Sequence, residues 1–426
     1  MKMSLCLLAA VGCLASTGFC ACGTAGIYDV RSYGAKGDGV TKDTSAVQAA
    51  VDAAHAAGGG EVRLGPGTYL SGSIWLKSNV DFHLMAGAVL KGSPDPSDYC
   101  ASNCCPQNYA SSKKGDNTSG GHLLLGVGVR NVTVRGPGMM DGNSDAFIYD
   151  KDGRLYKNWI AIPFRPAQMV WFVDSQDIRV TDLELKNAPY WSCFVLNCDR
   201  VWIRGCYAHT ERRRYHMYNA DGFDIDRSRW VQISDCRIDT ADDCITLRAS
   251  AGERLASPQD CAYVTVANCN LSTPCNAVRF GVGEGEIHDI VLSNLTVSDT
   301  RTAFNFVGAW SGKSRGTDIY DVRVQNVQVD CQDFVRIHHM YSTKSVFRDI
   351  VFDGVSGTVR KRSVLLAKKS CPFANIVFRN VDLPQGFVAV NADVRLEGGT
   401  FAPLPIPEAE RAKIAEDVEN NRNFVF

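Results

Sequence analysis

A five-residue segment recurs nine times along this chain, and it restricts the fold more than any other feature. An apolar β-branched residue is followed by a variable one, a second apolar one, and then often a small polar residue and Asn, Asp or Gly. The copies are VTVRG from Val132, IRVTD from Ile178, VWIRG from Val201, VQISD from Val231, VTVAN from Val264, IVLSN from Ile290, VRVQN from Val322, IVFDG from Ile350 and IVFRN from Ile376. Successive copies start 46, 23, 30, 33, 26, 32, 28 and 26 residues apart. Because 46 is twice 23, the first gap reads as two periods with one degenerate copy. So short an alternating strand cannot bury its apolar face alone, whereas stacked copies form a continuous core. Leucine-rich and propeller signatures are missing, and no helical pattern intervenes. The expected architecture is all-β: a single right-handed parallel β-helix, one repeat per coil, with strands stacked ~4.8 Å apart.

In such a solenoid Asp182, Asp235, Asn268, Asn294, Asn326 and Asn380 share one turn position, where Asx side chains satisfy turn backbone groups. Cys206, Cys236 and Cys269 follow one residue later and read as a buried stack of thiols. An open solenoid end needs a cover. Asp43 to Ala57 carries Val47, Ala50, Val51 and Ala54 on one helical face and stops at Gly58-Gly59-Gly60, so it reads as an N-terminal capping helix. Pro407 to Asn420 reads as a second helix packed along the side. No linker composition separates the two, so residues 24–426 are expected to be one domain despite a length that would permit two or three.

Residues 1–23 have the pattern of a cleaved secretory signal. Lys2 precedes an apolar stretch from Leu5 to Ala15 that is too short to span a bilayer, and small residues including Ala21 and Gly23 follow. The mature chain is therefore expected to be secreted or periplasmic, without a membrane span, and monomeric. Lys and Arg total 45 against 46 Asp and Glu, a net charge of −1, which argues against a nucleic-acid partner. Of 17 cysteines, Cys6, Cys13, Cys20 and Cys22 lie in or beside the signal, which leaves an odd 13 in the body. Export favours some disulfides, and Cys100, Cys104 and Cys105 form the natural place for one. Adjacent cysteines without a second CxxC half are a poor zinc set, so no metal and no organic cofactor are expected.

The chemistry lies between Trp191 and Asn305. Matching the inward pairs of neighbouring coils sets Phe223/Ile225 beside Ile245/Leu247, Val278/Phe280 and Phe304/Phe306, and alternation fixes the remainder. Asp221, Asp243, Asn276 and Thr302 then share one row. Asp242, Cys275 and Arg301 form the row beside it, and Asp224, Thr246, Arg279 and Asn305 an outward row beyond. Asp221, Asp242 and Asp243 thus converge on one surface, with Asp224 close behind. Carboxyl groups on adjacent coils can diverge to the ~6.5–9.5 Å that admits a water between a base and a sugar. Crowding raises at least one pKa, so one carboxyl stays protonated as the acid while another is ionised as the base. The alternative is that these aspartates only form turns, Asp221-Gly222 being a common turn dipeptide.

At these residues the chain resembles the polygalacturonase family of glycoside hydrolases, family 28. The likeness runs from VRSYGAKGDGVTKDTSAVQAAVDAA through AGAVLKGS, RPAQMVWF and NAPYWSCF to NADGFDI from Asn219 and ADDCITL from Ala241. The last two resemble the family's Asn-x-Asp and Asp-Asp motifs. The resemblance implies an inverting hydrolase of a galacturonide-containing, pectin-like polysaccharide or oligosaccharide, with Asp242 as general acid and Asp221 with Asp243 activating water. Cys275-Asn276-Ala277 stands where the family has Gly-His-Gly, and Ala303-Phe304-Asn305 stands near its Arg-Ile-Lys, residues that assist the site and clamp the substrate carboxylate.

Asn219, Asp224 and Asn276 are further candidates for contacting substrate. Arg279 or Arg214 could grip a uronate carboxylate, and His216 could touch substrate, although Arg279 could equally pair with Asp224 or Glu284. Trp191 and Trp310 are candidate stacking platforms. Three other functions fit the same residues: a hydrolase of a neutral or sulfated glycan, a polysaccharide lyase with Arg279 near its centre, and a carbohydrate-binding solenoid without activity.

Overall fold

The structure is a computed structural model that describes residues 26–108, 120–154, 162–210, 219–309, 315–339, 341 and 344–421. Strand after strand pairs in parallel with its counterpart in the next coil, and the chain winds as a right-handed parallel β-helix. The first residues of all nine repeats occupy a single ladder, because Val132, Ile178, Val201, Val231, Val264, Ile290, Val322, Ile350 and Ile376 pair each with the next. Every one is fully buried. At about 1.5–3 kcal/mol for each side chain of this size taken from water, this column is a main source of stability.

Val132 pairs directly with Ile178, so the 46-residue gap holds no degenerate copy. It is one long coil. The chain leaves Met139–Asp141 on an excursion before it re-enters at Val170–Val173, and Met139–Asp141 itself pairs with Glu184–Lys186 of the next coil. Arithmetic on spacings cannot tell two short coils from one coil carrying a loop.

The Asx row is confirmed, by a different mechanism from turn capping alone. Asp182, Asp235, Asn268, Asn294, Asn326 and Asn380 all have positive φ, between 49° and 57°. This left-handed corner suits Asn and Asp among residues with a side chain. Several of the amides also bond one another from coil to coil: Asn268 Nδ2 donates to Asp235 Oδ1 (3.1 Å), Asn294 Nδ2 to Asn268 Oδ1 (3.1 Å) and Asn326 Nδ2 to Asn294 Oδ1 (2.7 Å). Cys206, Cys236 and Cys269 are buried beside this corner as the expected stack, and hydrogen bonding with Cys206, together with burial, pushes Cys236 up to about 12. Cys100, Cys104 and Cys105 remain thiols, and no disulfide occurs among the described residues.

The capping helix runs Thr44–Ala56 and buries Val47, Ala50, Val51 and Ala54, the face that its periodicity marks. The second helix, Glu408–Glu419, lays Ile414 and Val418 on the outer face of the sheet formed by Ser363–Leu366 and Phe387–Val390. No helix among the described residues is long and apolar enough to cross a membrane. Residues 1–23 lie outside the described residues.

Candidate active site

The acids sit where one short strand hands over to the next. The chain leaves Arg237–Asp239, turns, and enters Ile245–Ala249, with Asp242 and Asp243 on the turn. Asp221 occupies the equivalent place one coil earlier, before Phe223–Asp226, and Cys275-Asn276 one coil later. The inward pairs fall in the expected register, Phe223 with Ile245, Ile245 with Val278 and Val278 with Phe304, and so does the outward row of Asp224, Thr246, Arg279 and Asn305. Backbone bonds hold the turns together: Gly222 N donates to Asp243 O (2.9 Å), and Cys244 N to Asn276 O (3.0 Å). Gly222 is there for proximity rather than for a left-handed turn, since a Cβ at this position would lie 2.3 Å from Cys244 O.

The three acids have different surroundings. Asp242 is half-buried, and both of its carboxylate oxygens accept from backbone, Oδ2 from Asn219 N (2.7 Å) and Oδ1 from Asp243 N (3.0 Å). Burial, and then the charge of Asp243, nevertheless hold its pKa above the ordinary value. Asp243 is 2% exposed and fully engaged: Asn276 Nδ2 donates to Oδ1 (2.5 Å), and Arg279 Nε donates to Oδ2. Asp221 is 3% exposed, and its Oδ1 is buried without a hydrogen-bond partner. Burial first, then the charges of Asp224, Asp242 and Asp243, push its pKa well up. The site therefore contains an ion-paired carboxylate flanked by two acids that retain protons beyond the usual range.

Arg279 organises this cluster from within. Its Nη1 donates to Gly281 O, and its Nη2 lies 3.9 Å from Asp221 Oδ2. Burial works against its charge, but Asp243 and Asp221 outweigh that and raise its pKa. It thus pairs with Asp243 and lies beside Asp221, where the sequence had offered Asp224 or Glu284, and in this arrangement its guanidinium grips protein carboxylates.

Asp224 is behind the site, not on it. It is fully buried, accepts from Thr246 Oγ1 and has Arg248 Nη1 at 3.7 Å, so it is out of reach of a glycan. Burial raises its pKa to about 7. Asn219 acts through its backbone N–H on Asp242, and Asn276 through its amide on Asp243. Trp191 is 8% exposed and packs against Tyr190 (4.7 Å, stacked), Phe194 and the guanidinium of Arg248 (4.6 Å). That packing consumes the faces a sugar would need. Arg214, His216 and Trp310 lie outside the described residues.

Three side chains not singled out as site residues by sequence complete the surroundings. Arg248 is the next outward residue after Thr246 and bridges Asp224 and Asp226 (3.7 and 3.6 Å). Cys275 lies between Asp242 and Arg301, whose exposed guanidinium has Nη2 3.2 Å from the sulfur. His338 reaches in from a later coil through Asn305. Alternation marks all three as outward, but not what they meet. The long excursion between Met139–Asp141 and Val170–Val173 adds a wall, with Ile148 and Ile162 packed against Ala220 and, at the edge, Ala241.

Asp242, Asp243 and Cys275 bring their ligand atoms within 4.8 Å of one another. The donor set fits a cation poorly, because burial holds the Cys275 thiol well above its ordinary pKa and Asp243 is already paired with Arg279.

Known proteins resemble this chain in sequence and in fold. An exo-poly-alpha-D-galacturonosidase of Dickeya chrysanthemi is 25% identical over 268 residues, which cover 53% of this chain and 42% of that protein. A probable polygalacturonase of Vitis vinifera is 23% identical over 377 residues, 82% of this chain and 73% of that one. Among solved structures, a hyperthermoactive exopolygalacturonase from Thermotoga maritima superposes with a TM-score of 0.71 at 19% identity, covering 89% of this chain and 92% of the other. A family 28 exopolygalacturonase of Yersinia enterocolitica superposes with 0.69 at 21%, covering 89% and 76%. These two show a shared fold. Residues 27–143 match the family described as rhamnogalacturonase A/epimerase, pectate lyase-like. Residues 106–394, which include every coil that carries the acids, match the description glycosyl hydrolases family 28, and the chain belongs to that family of glycoside hydrolases.

Proposed function

We propose that this protein is an exported, inverting hydrolase of a galacturonide-containing polysaccharide or oligosaccharide. One observation carries the reading: three carboxyl groups from two neighbouring coils meet on one surface with different partners, Asp243 ion-paired with Arg279 and the other two holding protons beyond the usual range. Asp242, half-buried and protonated beyond the usual range, donates its proton to the glycosidic oxygen as the bond to the anomeric carbon breaks. A water attacks that carbon from the opposite face and gives up its proton to the Asp221/Asp243 pair. Within the pair, Asp221 in its ionised form is the better acceptor, because its raised pKa makes it the stronger base and its Oδ1 has no partner, while both oxygens of Asp243 are occupied. Both named relatives act on galacturonan by their descriptions, which supports the substrate class. Export rests on the pattern of residues 1–23.

Among the described residues, Arg301 is the basic group best placed for the sugar carboxylate. It is exposed, next to Cys275 and hence beside Asp242, and its contact is a weakly accepting sulfur. Purified protein should release reducing ends from polygalacturonate without new absorbance from an unsaturated product, and NMR of the first product should show the anomer opposite to the bond cleaved. Retention of configuration would overturn the inverting assignment, and unsaturated product would overturn hydrolysis. Activity on a neutral glycan but not on polygalacturonate would overturn the substrate class.

A second reading, a hydrolase of a neutral glycan, is favoured by the engagement of Arg279 with Asp243 and Asp221, which withdraws one of the arginines that could have gripped a uronate carboxylate. The same substrate panel decides between the two.

A further inference from the structure

A chain of side-chain hydrogen bonds leads away from Asp243 through two further coils to a histidine. Asn276 Nδ2 donates to Asp243 Oδ1 (2.5 Å), Asn305 Nδ2 lies 3.2 Å from Asn276 Oδ1, and His338 Nε2 lies 3.2 Å from Asn305 Oδ1. The polarity of these links is forced. A carboxylate paired with Arg279 only accepts, so the Asn276 amide must turn its NH2 toward it and its carbonyl away. Asn305 must then offer its own NH2 to that carbonyl. The carbonyl of Asn305 consequently faces His338, and only a proton on Nε2 satisfies it.

His338 suits this end position. Burial holds its pKa down to about 3, so the ring is neutral and carries a single N–H. Its Nδ1 is buried with no hydrogen-bond partner. A ring with one proton and one unpartnered nitrogen would ordinarily choose either tautomer, and here the amide chain decides. The reverse also holds: a proton on Nε2 fixes the orientation of both amides. An amide that flipped at Asn276 would present a carbonyl oxygen to a carboxylate and repel it.

We infer that His338 and Asn305 are positioning residues for Asp243, holding the Asn276 amide in its donating orientation so that the carboxylate keeps one geometry beside Asp221. Neither touches the substrate. The inference rests on the hydrolase reading for its kinetic consequence, but not for its structural one.

The test has two arms. The first is the tautomer of His338, read by long-range 15N–1H NMR on the whole protein against a His338→Gln assignment control. The Nε2–H form is expected, and the Nδ1–H form would overturn the relay whatever the protein hydrolyses. The second is kinetic, on the glycan that the wild type proves to cleave. His338→Leu should lower kcat about tenfold with KM within twofold, and His338→Gln, whose amide N–H can replace Nε2–H, should recover most of the loss. Asn305→Asp, which sets an acceptor against the Asn276 carbonyl, should cost more than His338→Leu. Wild-type kcat in His338→Leu would overturn the relay, and so would a loss that the Gln variant does not recover while both variants melt at the wild-type temperature. Failure of the wild type to cleave any glycan would sink the hydrolase reading and leave the tautomer arm to decide this one.

Discussion

The guanidinium of Arg279 and the carboxylate of Asp243, 36 positions apart in the chain, form a buried ion pair in the middle of the acid cluster, with Nε donating to Oδ2. The pair has a consequence for each of its neighbours. Arg279 lowers the proton affinity of Asp221 and Asp242 against burial and mutual repulsion, which otherwise raise it. One arginine thereby lets three carboxyl groups share a small, nearly dry space.

Replacing Arg279 with Gln should accordingly do two things. Removing one partner of a buried pair leaves an uncompensated charge and typically costs about 3–5 kcal/mol, to be read from urea denaturation. The remaining acids also lose a cation that lowers their pKa, so both limbs of the pH–rate profile should move to higher pH. An unmoved profile would separate Arg279 from the catalytic acids.

At Asp221 the demands of stability and chemistry conflict. Its Oδ1 is buried and unpartnered, and three other carboxyl groups crowd it. Asp221→Asn should therefore raise the melting temperature at neutral pH while lowering kcat by about 10²–10⁴, the usual contribution of a positioned acid or base. A variant that is both inactive and less stable would count against this account.

Asp224 gives a pH dependence of stability with a definite sign. Its folded value of about 7 lies above the ordinary 3.8, because burial disfavours the charged form more than Arg248 and Thr246 favour it. Between those values the folded state binds more protons than the unfolded one, so stability falls as pH rises. The contribution is fully present below the ordinary value and lost as pH passes through about 7. Its size is at most roughly 4 kcal/mol, at ~1.4 kcal/mol per pKa unit. Asp224→Asn should flatten this slope, as measured by unfolding free energies from pH 4.5 to 8.

The amide ladder separates backbone from side-chain effects. Asn294 has φ of 55°, donates to Asn268 and accepts from Asn326. Asn294→Ala loses both bonds and keeps an unfavourable left-handed residue, which should cost about 1–3 kcal/mol. Asn294→Gly relieves the backbone and should cost less. Equal losses would mean that the hydrogen bonds alone matter.

Much of the fold was legible because a parallel coil obeys local rules. Alternation settles which side chains point inward, and stacking like residues on like settles register, so the column from Val132 to Ile376 and the row of Asp224, Thr246, Arg279 and Asn305 could be read directly. The convergence of Asp221, Asp242 and Asp243 follows from the same register. The helix Thr44–Ala56 was legible from its 3.6-residue period.

Other features depended on distances that no periodicity encodes. The 46-residue gap proved to be one long coil, since spacing counts residues but not the path they take. Cys100, Cys104 and Cys105 stay unbonded as thiols. Asp224 points outward from the sheet as alternation requires, and Trp191 packs in a cluster outside the main core, yet both are buried, because neighbouring side chains cover them. The choice of Asp243 by Arg279, and the route from Asp243 through two amides to His338, belong to the same class. The sequence by itself determined a stacked coil and the surface on which its acids meet, because both follow from period-two geometry and a repeated core. Only the tertiary structure decided which acid is paired, which is bare and which is hidden, because those outcomes turn on side-chain reach of a few ångströms across coils and on the depth of cover above them.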